Sequence, residues 1–130
     1  MLADTPYNHI TSEIIGAAIE VHRILGPGLL ESTYMLCVEF ELAARKLRFV
    51  TGRTIPIVYK GITLGTTYRI DLLVEDVVIV ELKSLERVLP VHEAQVLTYL
   101  GLTGTPVGLL INFNVAKLVD GVKRLSNPRR

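Results

Sequence analysis

A single cysteine, Cys37, rules out any disulfide framework in this 130-residue chain. With only three scattered histidines beside it, no zinc-ligand pattern can be assembled either. Cys37 lies among apolar residues in a helical pattern and reads as a buried small hydrophobe in a reducing, cytoplasmic setting. No apolar run approaches the roughly 18 residues that span a bilayer, so no membrane association is expected. The opening Met1-Leu-Ala-Asp-Thr-Pro6 lacks the basic stretch and apolar core of a secretory leader. Also missing are a phosphate-cradling glycine loop, a GxGxxG turn before a helix, and a serine or cysteine triad. The net charge is only +1, which neither demands nor excludes a nucleic-acid partner, because a local patch can be basic while the whole is balanced. Basic residues do gather at Arg45, Lys46 and Arg48, and again at Lys123, Arg124, Arg129 and Arg130. Solvated helix ends and a loose tail account for them equally well.

What the chain has is a core. Hydrophobic residues make up 49% of it and the mean hydropathy is +0.40, the mark of a globular chain. Without repeats, low-complexity stretches or a long linker, it reads as one domain over residues 11–125, with an N-terminal extension (1–10) and a basic tail (126–130). Thr11 or Ser12 can cap a helix to about Leu25, with Ile14, Ile15, Ala18, Ile19 and Val21 on its apolar stripe. Gly26-Pro27-Gly28 must break it. A second helix, Leu29 to Lys46, turns Leu30, Tyr34, Cys37, Val38 and Leu42 inward. The period then changes to two: Thr54–Tyr59 and Ile62–Leu64 form a hairpin about Lys60-Gly61, and Thr67–Val74 and Val77–Leu82 form a second, central one. Pro90 opens a third helix, His92 to Leu102, which Gly104 closes. Pro106–Phe113 is another apolar strand and Val119–Leu125 a weaker terminal element. The order α-α-β-β-β-β-α-β plus a terminal element predicts an α/β fold, a mixed central sheet flanked by helices.

The central hairpin carries three charges where none should be. Val77–Val80 is apolar without alternation, as in a strand covered on both faces. Yet Glu81 and Lys83 continue it, and Asp71 interrupts the preceding apolar segment. Buried charges are costly unless they are paired or hold a metal. The hairpin therefore carries either a structural ion pair or a cation site, and two hard carboxylates on adjacent strands favour the latter, with Mg²⁺ as the suitable ion. Register tests this. A two-residue turn at Glu75-Asp76 sets Asp71 opposite Val80, with Glu81 on the wrong face. A three-residue connection, Glu75–Val77, or a bulge sets Asp71 opposite Glu81. One of these is predicted.

An Asp, a short hairpin, Glu-x-Lys, then helix and strand resembles the PD-(D/E)XK nuclease superfamily. Gly28-Leu-Leu-Glu31-Ser-Thr-Tyr34 resembles the signature of one branch, the GxxExxY proteins. Ile15-Gly-Ala-Ala-Ile-Glu-Val-His22, Tyr68-Arg-Ile-Asp71, Val80-Glu-Leu-Lys83, Val91-His-Glu-Ala-Gln95 and Leu110-Ile-Asn-Phe113 resemble it too, in the same order, from Thr11 to Leu125.

The resemblance implies a restriction-endonuclease-like core and a metal-dependent nuclease acting on nucleic acid, DNA by analogy. Asp71, Glu81 and the Leu82 carbonyl would hold Mg²⁺, with Mn²⁺ as substitute, and a helix glutamate, Glu31, is the further candidate ligand. Lys83 would orient the attacking water, lower its pKa or stabilise the developing charge. His92, Gln95 and Tyr99 form one polar stripe on the third helix. The resemblance makes Gln95 a phosphate or water contact. Tyr99 can stack on or hydrogen-bond to substrate, and His92 can cap its helix or support the site. Tyr34 is expected to pack beside Glu31. His22 either packs or neighbours the site, and Arg69 either meets phosphate or pairs with Asp71 or Glu31. So small and neutral a chain has little surface for gripping a duplex. A homodimer or protein partner is expected; Pro106–Phe113 or the terminal element could provide the interface, although core burial is the favoured use of such apolar segments. The rival reading is a nuclease-fold module that binds nucleic acid or a partner without cutting.

Overall fold

A computed structural model describes residues 6–129. Of the extension and the tail, residues 1–5 and 130 lie outside the described residues. The helices are α1 (Asn8–Leu25), α2 (Glu31–Ala44) and α3 (Pro90–Thr103). The strands are β1 (Phe49–Thr51), β2 (Thr54–Tyr59), β3 (Ile62–Arg69), β4 (Leu72–Val74), β5 (Val78–Lys83), β6 (Val107–Asn112) and β7 (Val122–Ser126), with a 3-10 turn at Leu118–Gly121. Five strands make one mixed sheet in the order β1-β4-β5-β6-β7, in which only β5 and β6 run parallel. α3 is the crossover a parallel pair requires. Val78, Val80 and Leu82 pack with α1 and α2, whereas Ile79 packs with Val96, Tyr99 and Leu100 of α3. That two-sided cover explains the unbroken apolar run of β5. Among the described residues no helix is long and apolar enough to cross a membrane.

The chain departs from the expected elements at several points. α1 begins at Asn8, earlier than the Thr11 or Ser12 cap predicted. Thr11 is buried within it, and its hydroxyl donates back to the Asn8 carbonyl (3.1 Å), an i−3 bond that a helix interior permits. α1 turns Ala17 inward and leaves Ile19 outside; α2 buries Tyr34, Val38 and Leu42 but leaves Leu30 exposed and Cys37 half-buried. Leu30 precedes the first helical turn, so it is not in phase with Tyr34. β1 went unread because three residues carry no period. Pro106–Phe113, weighed above as an interface, contains the interior strand β6, buried at every position and covered on both faces.

β1 and β2 run against β4 and β3 as one bent ribbon. β1 pairs with β4 and β2 with β3, and the register continues across the break through Gly52 N–H to Asp71 C=O (3.0 Å) and Ile70 N–H to Arg53 C=O (2.9 Å). The expected strand Thr67–Val74 is thus interrupted at Ile70-Asp71, where the ribbon leaves the main sheet. Asp71 stands at the bend.

The β4–β5 connection has the three residues Glu75–Val77, with Val74 paired to Val78. Val77 N–H bonds Val74 C=O (3.1 Å), and both central residues are left-handed (Glu75 φ 51°, Asp76 φ 59°). Glu75 is held there by Arg48, whose N–H bonds its carboxylate at 2.6 Å. Asp76 is exposed, and a left-handed conformation costs a non-glycine residue roughly 1–2 kcal/mol. Asp76→Gly should therefore stabilise the fold by about 1 kcal/mol, read as a higher urea midpoint at unchanged m-value.

Candidate active site

The β4–β5 pairing ends at Leu72 and Val80, so the next residues, Asp71 and Glu81, face each other without a backbone ladder. Each carboxylate fills the gap from its own side. Glu81 Oε2 accepts from Asp71 N–H (2.7 Å), and Asp71 Oδ2 accepts from Leu82 N–H (2.8 Å). Of the two arrangements the register argument allowed, a three-residue connection or a bulge, the chain uses the three-residue connection. Because N–H and C=O of one strand residue point the same way, the Leu82 carbonyl is directed toward Asp71 as well.

Burial pushes the Glu81 carboxyl up to about 8, and the neighbouring Asp71 charge adds to the rise. Asp71 is also raised, mainly by burial, although the Leu82 amide and the Lys83 and Arg69 charges oppose it. Lys83 continues the Glu81 face, half-buried. Among the described residues it makes no ion pair within 4 Å, and no hydrogen bond engages Asp71 Oδ1 or Glu81 Oε1. The site is a carboxyl pair with no cationic side chain bonded to it, and burial leaves Glu81 protonated at neutral pH. Two carboxyl groups with free oxygens, Asp71 on a cleft and Glu81 buried beside it, fit a hard divalent ion that would displace the proton and keep most of its waters.

The cleft beside Asp71, about 220 Å³, is lined across from it by Glu31, Ser32 and Met35 of α2 and on the ribbon side by Gly52 and Arg69. The Arg69 guanidinium lies over Gly52 (φ +67°), where any Cβ would collide with it. Glu31 is exposed at the first position of α2 and its charge reaches Glu81. However, among the described residues no three His, Cys, Asp or Glu side chains come close enough to hold one metal. Asp71, Glu81 and Glu31 are thus not gathered into one ready-made set, and Glu31 stands on the cleft it shares with Asp71.

The remaining predicted residues separate into those at the site and those that hold it. The Tyr34 hydroxyl donates to the Gly26 carbonyl (2.6 Å) and accepts from Leu29 N–H (3.1 Å), with its ring stacked on Phe113 at 4.3 Å. It clamps the left-handed Gly28 loop (φ +95°) that delivers Glu31. His22 is buried, hydrogen-bonded to the Val115 carbonyl (2.8 Å), and serves packing. His92 Nδ1 accepts from Leu89 N–H (2.8 Å), capping α3. Gln95 is half-buried, with no side-chain hydrogen bond among the described residues. Tyr99 is only 3% exposed, with its hydroxyl pushed up to about 12 by burial and then by Glu81. So deep a ring offers substrate no face, which removes the stacking role.

Three contributors were missed. Ser84 Oγ donates to the Leu29 carbonyl (2.6 Å), tying the Glu31 loop to the residue after Lys83. Buried Asn112, in register with Lys83, accepts from Leu85 N–H and donates to its carbonyl (2.9 Å each), fixing the chain as it leaves the strand. A polar residue in an otherwise apolar strand was the available signal. The third is Tyr68, against Tyr99 at 6.0 Å between centroids.

A family model described as the PD-(D/E)XK nuclease superfamily matches residues 8–125. The chain belongs to that superfamily. Its α/β architecture is the restriction-endonuclease-like fold of that group, as the sequence implied. No curated protein and no solved structure matches the chain significantly.

Two measurements follow from this superfamily member's geometry. Tyr34→Phe removes the loop clamp and should cost about 1–2 kcal/mol in urea denaturation. Glu81 titrates near 4.5 when unfolded and about 8 when folded, so the fold holds the proton between those values. Stability of the metal-free protein is then fullest below 4.5 and falls as pH rises toward 8. Urea midpoints across this range in chelator should show the decline, and Glu81→Gln should flatten it.

Proposed function

We propose that the chain is a divalent-metal-dependent nuclease that hydrolyses phosphodiester bonds, with Asp71, Glu81 and the Leu82 carbonyl as metal ligands. The carrying observation is the uncompensated carboxylate pair. A structural ion pair would spend Lys83 on Asp71 or Glu81, and no such contact is made. Bound there, Mg²⁺, or Mn²⁺ in its place, would polarise a phosphoryl oxygen and acidify a water. Lys83 stands on the same face to orient that water and stabilise charge developing on the phosphate. Gln95 contributes an uncommitted amide for phosphate or water, and Arg69 a cation on the cleft wall. Glu31 acts from the rim through a water.

DNA is the proposed substrate over RNA, by analogy with the superfamily. Within it we favour the GxxExxY branch, since Gly28, Glu31 and Tyr34 share one loop and its clamp. A second copy of this chain is the simplest source of additional grip on the substrate.

Two experiments test the reading. Mg²⁺ at 100 times its dissociation constant should stabilise the protein by about 2.7 kcal/mol, and Asp71→Asn should abolish the rise in melting temperature. Over single-stranded, duplex, flap and junction substrates, Lys83→Ala should lower cleavage about 10²–10⁴-fold. Equal rates for wild type and Lys83→Ala would sink the mechanism, and salt-sensitive binding with no cleavage anywhere would favour a binding module.

A further inference from the structure

Between the ribbon and α3 lies an open groove of about 310 Å³, within the range of small-ligand sites. It is lined by Val91, Ala94, Gln95 and Thr98 of α3 and by the rings of Tyr68 and Tyr99. Val91, Ala94, Gln95 and Thr98 share one helix face by their i, i+3, i+4, i+7 spacing. No charge lines it. Tyr68 is 43% exposed, whereas its neighbour Tyr99 is 3% exposed and packed against it. Among the described residues neither Gln95 nor Thr98 spends its side chain on a hydrogen bond. The groove lies near the carboxylates along the chain, because Tyr68 stands near the end of β3, three residues before Asp71.

We propose that this groove is a subsite for one unpaired nucleobase of the substrate strand, stacked on Tyr68 with its polar edge toward Gln95 and Thr98. An aromatic ring, an apolar lining and two free hydrogen-bonding groups suit a planar base, and the absence of charge suits neither a phosphate nor a basic side chain. A base in a duplex has both faces covered by its neighbours, so only an unpaired one can lie on Tyr68. This rests on the nuclease reading above and narrows it. The substrate is single-stranded beside the scissile phosphate, as in a tail, a flap or a gapped junction.

The test is binding without cleavage: fluorescence anisotropy in chelator, with a labelled single-stranded oligonucleotide and a blunt duplex of the same sequence. Wild type should bind the single strand the more tightly. Tyr68→Ala should lose about tenfold of that affinity, Tyr68→Phe should keep it, and duplex binding should not change. Since Tyr68 also packs on Tyr99, Val91→Glu provides a second probe. Val91 is 64% exposed in the first turn of α3, where a carboxylate suits the helix dipole, so the variant should fold and lose single-strand binding alone. Equal affinity for both forms, or equal loss in Tyr68→Ala and Tyr68→Phe, would overturn the subsite. Single-strand binding lost in Tyr68→Ala, with no cleavage by the metal-loaded protein, would keep the subsite and overturn the nuclease. Cleavage of a single-stranded substrate undiminished in Tyr68→Ala would do the reverse.

Discussion

Two carboxylates here do the work of a backbone ladder. Where β4 stops, the amides of Asp71 and Leu82 would be left without partners, and buried donors do not stay unpaired. Glu81 and Asp71 supply the acceptors, each to the opposite strand, so two buried carboxyl groups are drawn together by the amides that need them. The raised proton affinity of both groups is the electrostatic cost, and it turns a structural repair into a receptor for positive charge.

The rest of the architecture serves that exchange. The three-residue connection sets its register, and the bend in the ribbon frees Asp71 from a continuous strand. On the α2 side, Tyr34 and Ser84 grip one short loop from two directions and fix Glu31 across the cleft. Asn112 holds the exit from Lys83. The site's polar side chains thus divide into those that face the cleft and those that keep the backbone in place.

Much of this was legible in the sequence, and for identifiable reasons. Charges intruding on Val77–Val80 located the site, and counting residues in the β4–β5 connection gave its register. Glycine and proline marked the ends of the helices. Strand periodicity could not reveal the bend, because Ile70-Asp71 keeps its pairing while changing direction. Helical spacing put Tyr99 on a polar stripe without saying how far the ribbon would cover it, so its neighbour Tyr68 was overlooked. Glu31 is a similar case: position at a helix start is readable, but distance across a cleft is set by packing.

Because the fastening amides belong to the backbone, only a proline at 71 or 82 would delete them. An asparagine at 71 or a glutamine at 81 still offers an oxygen to the same donor, so the cleft keeps its shape while its charge is lost. One nucleotide change could therefore silence the chemistry and leave the fold and neighbouring surfaces intact. If the proposed chemistry holds, a lineage carrying this hairpin has a short evolutionary path from cutting a strand to merely holding one.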